Sequence, residues 1–434
     1  MEVMSRKNPL GEKMYKWARD LFPINRSITG PGVRETLNYL RQLNPELNVH
    51  SVSSGTQAFD WTVPDEWQIR NGWIEDPLGK RIVDFKLNNL HVVGYSEPID
   101  EYLPLEELQG HLHSIEGQPN AIPYVTSYYN RTWGFCITDI QRRKLAPGIY
   151  RVVIDSDLKP GYLNYGELFI KGKSKKEIFI STHICHPSLA NNETSGPVVA
   201  SALAQWASTL NNLRYSYRFV FIPETIGSLV YLSRNLKKLQ NNIVAGFNIT
   251  CVGDERCFSY LPSRAGDTLS DRAASHALKH IDSNFKKYTW LDRGSDERQY
   301  CAPGIDLPIA SIMRSKFGEY PEYHTSLDDL SVITPGGLEG AFSAIKTAIM
   351  AVEQNCRPKY KVLGEPQLGR RGLFPNLSKK GSTSHLRVML HLLSYADGKR
   401  DLLEIADIVG VAISDLSLVS SELEQAGVID LDWR

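Results

Sequence analysis

Between about residues 160 and 355 the chain alternates apolar runs with amphipathic ones, and this pattern limits the fold more than any other feature. "EIFIST", "YRFVFIP", "IVAGFNITCVG" and "LPIASIM" read as strands. "PVVASALAQWASTL", "IGSLVYLSRNL", "LSDRAASHALKHI" and "GGLEGAFSAIKTAIMAVEQN" read as the helices between and after them. A parallel strand pair needs a crossover helix, and the helices then cover both sheet faces. The expected class is therefore α/β, a mostly parallel twisted sheet with helices on both faces. Ligands in such folds bind at the carboxyl ends of the strands.

The flanking segments read differently. Residues 1–50 look helical, with Met14, Trp17, Ala18, Leu21 and Phe22 on one face of the first helix. Residues 51–150 are rich in Trp, Val, Ile and Phe between turn signals, as expected of a small β-rich inserted domain. Its Trp- and Tyr-rich stretches read as core. Residues 151–365 form the α/β domain. A Gly/Pro/Ser-rich linker leads to residues 380–434, patterned as a winged helix. At 434 residues the chain is long enough for two or three such units.

Charge excludes some function classes. Lys+Arg and Asp+Glu balance at 49 each, so no global field favours nucleic acid or an anionic membrane. The winged-helix segment holds four bases (Arg387, Lys399, Arg400, Arg434) against nine acids. That balance argues against phosphate binding and for a packing role or a homo-oligomer contact. No stretch approaches the roughly 20 apolar residues of a membrane span, and the start lacks a signal-peptide h-region. The six scattered cysteines read as reduced thiols of a cytoplasmic protein.

Chemistry concentrates where the expected strands end. "HICHPSLANNETSG" carries His183, His186 and Glu193. "PETIGS" carries Glu224, "TCVGDE" carries Asp254, "GSDERQY" carries Asp296, and "YPEYHTSLDDL" carries Glu322, His324 and Asp328. Imidazole and carboxylate are zinc ligands, and a nearby carboxylate can serve as general base. "NRSITGPG" sets Arg26 and Arg34 about a turn; it reads as a surface turn rather than an anion cradle.

These segments resemble those of the co-catalytic zinc aminopeptidases, and the whole chain resembles a bacterial family with an aminopeptidase-like domain and a C-terminal winged helix. "CHPSLANNETSG" is similar to the His-x-Asp…Asp-Asn-x-Ser-Gly segment, "PETIGS" to Glu-Glu-x-Gly, "GSDERQY" to Ser-Asp-His, and "EYHTSLDDL" to Tyr-His-Thr-x-x-Asp. The resemblance implies a zinc-dependent hydrolase of peptide or small amide substrates. His186, Glu193 and His324 would hold the metal, and Glu224 would be the base. Asp254, Asp296 or Glu322 would meet a substrate amine. Either His183 or His186 matches the first histidine ligand. The chain departs from the pattern at Asn192, Thr225 and Thr250, where the resemblance places metal-binding carboxylates. One zinc rather than two is the expectation. Three other readings stay open: a metal- or ligand-binding protein without catalysis, a deacylase acting on a biosynthetic or sugar-linked intermediate, and a DNA-binding regulator.

Overall fold

The computed structural model describes residues 9–373 and 382–433. Its centre is an eight-stranded sheet. In chain order the strands of this sheet and of a smaller one are β1 (Asn48–Ser53), β2 (Glu66–Glu75), β3 (Arg81–Asp84), β4 (Ile99–Pro104), β5 (Ile149–Lys159), β6 (Tyr162–Ile170), β7 (Glu177–His183), β8 (Ser216–Ile222), β9 (Ile243–Asn248), β10 (Ser259–Leu261), β11 (Lys286–Lys287) and β12 (Ile309–Met313). The large sheet runs β1-β6-β8-β7-β9-β12-β10-β11. Strands β8, β7, β9 and β12 are parallel neighbours, as crossover helices require. The pairs β1/β6, β6/β8 and β10/β12 are antiparallel.

Every residue of β7 is buried, so its apolar run needs no alternation. Helix α1 (Pro9–Leu21), α2 (Pro31–Leu43), α3 (Ser195–Ser208), α4 (Ile226–Asn242), α5 (Leu269–Ile281) and α6 (Pro335–Gln354) cover the sheet. Helix α3 is apolar almost all round, because it lies between the sheet and both α1 and α6. Gly196 allows its close approach. A Cβ there would stand 2.3 Å from Thr182 Oγ1 and 2.8 Å from the Ile249 carbonyl oxygen.

Strands β3-β2-β5-β4 form the second, antiparallel sheet, inserted between β1 and β6. It extends to Lys159 rather than stopping near residue 150, because β5 continues straight to the turn before β6. The segment after it in chain order also differs from the simple alternation. β6 pairs antiparallel with β8, since only a short loop, without a helix, leads from β6 to β7.

The C-terminal unit holds α7 (Ser382–Tyr395), α8 (Leu402–Val409) and α9 (Ile413–Gln425). Its two-stranded ribbon pairs β13 (Arg357–Tyr360) with β14 (Ile429–Asp432). Arg434 lies outside the described residues. Two acids of this unit anchor it on α5. Arg272 of α5 meets Asp401 through both Nη atoms, at 3.0 and 2.6 Å. His276 Nδ1 lies 3.0 Å from Asp407, and its Nε2 accepts from the Ile413 amide. Among the described residues no helix is long and apolar enough to cross a membrane.

Candidate metal and hydrolytic centre

The chain leaves β7 toward β8 on one side, then crosses back to β9 on the other, so β7 ends at a topological switch point. His183 is the last residue of β7 and sits opposite Ile222 of β8. A bend at Pro187 and Ser188 leads into a π-helical turn, Ala190–Thr194, which carries Glu193 into α3. Asp328 fixes this turn, accepting from the amides of Asn191 at 2.7 Å and Asn192 at 3.0 Å. Burial pushes the Asp328 carboxyl up to about 6 despite those donors.

His183, His186 and Glu193 offer ligand atoms that lie within 4.8 Å of one another, and all three are buried. His186 Nδ1 is 2.9 Å from Glu193 Oε2, and His183 Nε2 is 3.3 Å from the same oxygen. His183 Nε2 also lies 2.9 Å from the Asn192 carbonyl oxygen, which can only accept. In the neutral ring Nε2 therefore carries the proton, and Nδ1 keeps the lone pair. That Nδ1, Glu193 Oε1 and His324 Nε2 are buried without a hydrogen-bond partner. A two-histidine, one-glutamate donor set with unsatisfied lone pairs suits a divalent cation such as zinc. Both histidines thus belong to one cluster, where the sequence left a choice between them.

Arg26 closes the far side. It is 2% exposed, so the turn that read as superficial is buried. Its Nε donates to the His186 carbonyl at 2.8 Å and stands 3.4 Å from Glu193 Oε1, while Nη1 donates to the Leu21 carbonyl. Burial opposes ionisation of Glu193, but His183, His186 and Arg26 outweigh it and hold the carboxyl below its usual range. His183 shows the converse. Burial disfavours its cation, yet the charges of Glu193, Glu224 and Asp296 raise its pKa.

Glu224 follows β8 on the near side, with its carboxylate oxygens 3.9 Å from His183 Nδ1 and 3.7 Å from His186 Nε2. The next residue, Thr225, has φ 63 and ψ −77, a strained setting for a threonine. Asp296 holds that kink. Its Oδ1 accepts from the Thr225 amide at 2.8 Å and from Ser228 Oγ at 2.9 Å. Burial, then the Glu224 charge, raise Asp296 to about 7. Asp296 thus supports Glu224 from below and does not line the cavity.

The cavity itself is about 320 Å³ and is walled by Trp61, Tyr124, Tyr128, Tyr129, His186, Glu224, Thr225, Arg298 and His324, among others. The aromatic residues had read as core. Three of them come from the inserted unit's loop, which also pins His324: the Tyr124 amide donates to the His324 carbonyl at 2.9 Å. His324 adopts φ 55, stacks on Tyr323 at 3.9 Å and lies 5.4 Å from the His186 ring. Burial, then the neighbouring histidines, lower its pKa to about 3, so it is neutral.

Two further expected residues stay out of this chamber, as Asp296 does. Asp254 is fully engaged elsewhere, accepting from the Ser315 amide and hydroxyl, the Arg256 amide and Asn191 Nδ2. Glu322 is bound bidentately by Arg256, both contacts at 2.8 Å. Neither lines the cavity. Sequence reasoning gave no role to Arg298 and no function to Asp328, although both sit within the quoted motifs.

Known proteins share this arrangement of elements. Residues 15–355 match a family described as domain of unknown function DUF4910, and residues 356–431 match a winged helix-turn-helix family. The chain belongs to the DUF4910 family. A Clostridium acetobutylicum relative, named "Putative polysaccharide biosynthesis protein with aminopeptidase-like domain", is 40% identical over 99% of both chains. A crystal structure from the same organism, described as a "putative peptidase", is 39% identical with TM-score 0.91, covering 98% of this chain and 97% of that one. The zinc aminopeptidase of Bacillus subtilis is 13% identical with TM-score 0.56, over 80% of this chain and 95% of that one. This DUF4910 chain therefore has an aminopeptidase-like fold with a winged helix appended.

Proposed function

We propose that this chain is a zinc-dependent hydrolase of peptide or amide bonds, with Glu224 as general base. The observation that carries the reading is the meeting of His183, His186 and Glu193 at the end of β7, beside a cavity walled by Glu224. In this reading His183, His186 and Glu193 hold the ion, and His324 faces them with its Nε2 free of any hydrogen-bond partner. Zinc held there supplies Lewis acidity to a carbonyl and to water. Glu224 takes the proton of the attacking water and passes it to the leaving nitrogen. Asp296 fixes the backbone beside Glu224, and Arg26 balances the buried charge of Glu193. The aromatic wall keeps bulk water from the reacting atoms. A DUF4910 relative named for polysaccharide biosynthesis supports an amide borne on a carbohydrate precursor as one substrate class. The acids of the winged helix that dock on α5 support a bracing role over nucleic-acid binding.

X-ray absorption at the zinc edge on purified protein, with an amide-substrate screen, tests this. The expected result is one zinc per chain with mixed nitrogen and oxygen ligation. Glu224→Gln should keep the metal and lose about 10²–10⁴-fold in kcat. Full turnover by that variant would remove the proposed base.

A further inference from the structure

The cavity wall has a charge pattern at odds with an aminopeptidase site. Recognition of a free α-amine needs an acidic partner that is not already occupied. Glu224 is the single carboxylate among the lining residues, and the hydrolase reading commits it to proton transfer. Asp254 and Glu322 are consumed elsewhere, and Asp296 lies beneath the α4 kink. Where the resembling enzymes carry a second glutamate, this chain has Thr225, and a cation stands over it. Arg298 Nη2 donates to Thr225 Oγ1 at 2.6 Å, while Arg298 Nε is buried without a partner. Among the described residues no carboxylate pairs with Arg298. A partly buried guanidinium facing a cavity, with one edge unsatisfied, is costly unless a ligand supplies the anion. Its planar fork matches a carboxylate in two parallel hydrogen bonds.

We infer that Arg298 binds the carboxylate of the substrate, so that the site takes N-acylamino acids, whose acyl amide is the bond to be cleaved and whose carboxylate stays free, and rejects substrates presenting a free α-ammonium. This rests on the amide-hydrolase reading and names its substrate class. Trp61, Tyr124, Tyr128 and Tyr129 offer flat apolar surface for the side chain or acyl group beside that carboxylate.

The test is calorimetric titration of the full chain with N-acetyl-L-phenylalanine, which has a carboxylate and no amine, and with L-phenylalaninamide, which has the reverse. Each titration is run with added zinc and again in EDTA, where a probe carboxylate has no metal to ligate. The expected result in both conditions is binding of the N-acetyl probe, weakened at least about tenfold in Arg298→Gln. Arg298→Lys, which keeps the charge and loses the fork, should fall between. Arg256→Gln, outside the cavity, should bind like the parent, and thermal melts check that each variant is folded. Unchanged affinity in Arg298→Gln, tighter binding of L-phenylalaninamide, or no binding of the N-acetyl probe at millimolar concentration would overturn the assignment. Failure of the hydrolase reading shows separately, as turnover retained in Glu224→Gln, because these titrations need no turnover.

Discussion

Replacing Arg26 by methionine removes the cation behind the His183–His186–Glu193 cluster while keeping much of its volume. The guanidinium nitrogen stands 3.4 Å from Glu193 Oε1, with both side chains 1% exposed. At an effective dielectric of about 20, that separation corresponds to about 5 kcal/mol of attraction. Removing one partner of a buried ion pair typically costs about 3–5 kcal/mol, because the other charge stays uncompensated. The His186 and Leu21 carbonyls would also lose their donors. A divalent cation on Glu193 would replace most of the missing positive charge. Urea unfolding in EDTA should therefore show a loss of several kcal/mol, about 3–5 in all, and saturating zinc should recover more than half of it. Equal losses with and without zinc would mean that the ion does not sit against Glu193, and no loss at all would mean that the pair is not balanced as described.

Asp296→Asn keeps an oxygen for the Thr225 amide and Ser228, since both donate to the same atom. The native carboxyl, raised to about 7 from its usual value near 4, is disfavoured as an anion in the fold. The unfolded chain therefore loses this proton first, and the metal-free protein should lose stability as pH rises from about 4 to 7, by up to about 1.4 kcal/mol per unit. The asparagine variant should flatten that slope in pH-dependent melts, and an unchanged slope would assign the titration to another group. Gly196→Ala drives a Cβ against Thr182 and the Ile249 carbonyl, so it should cost about 1–3 kcal/mol and reduce bound zinc by displacing the Glu193 turn. Metal analysis and urea unfolding read both effects.

Much of the fold was legible because parallel strands buried on both faces carry unbroken apolar runs, as β7 does over Ile178–Ile180 and β8 over Phe219–Ile222. Their ends therefore located the chemistry at His183 and Glu224. The antiparallel flanks were harder to see. β6 and β10 are as apolar as the parallel strands, and only the missing crossover helix distinguishes β6. The positions of Asp254 and Arg298 depended on partners far along the chain, Ser315 and Thr225, which no local pattern reveals. Arg26 was misread for the same reason: its polar turn sequence says nothing of the His186 carbonyl it holds. The Tyr-rich loop looked like core because packing against His186 and His324 uses the same apolar faces as packing inside a domain.

The wide turn at Ala190–Thr194 has a consequence for reading relatives of this chain. A π-turn holds one residue more than an α-turn, which moves a carboxylate about 100° around the axis while the rest of the helix keeps its seat. Here that extra residue lets a glutamate reach the histidines from one position beyond the asparagine where simple alignment would look for an acid. Chains that differ by a single insertion at this point can therefore present the same donor from different columns of an alignment, and deletion of one residue there would turn Glu193 away from His183 and His186 without disturbing the helix that follows.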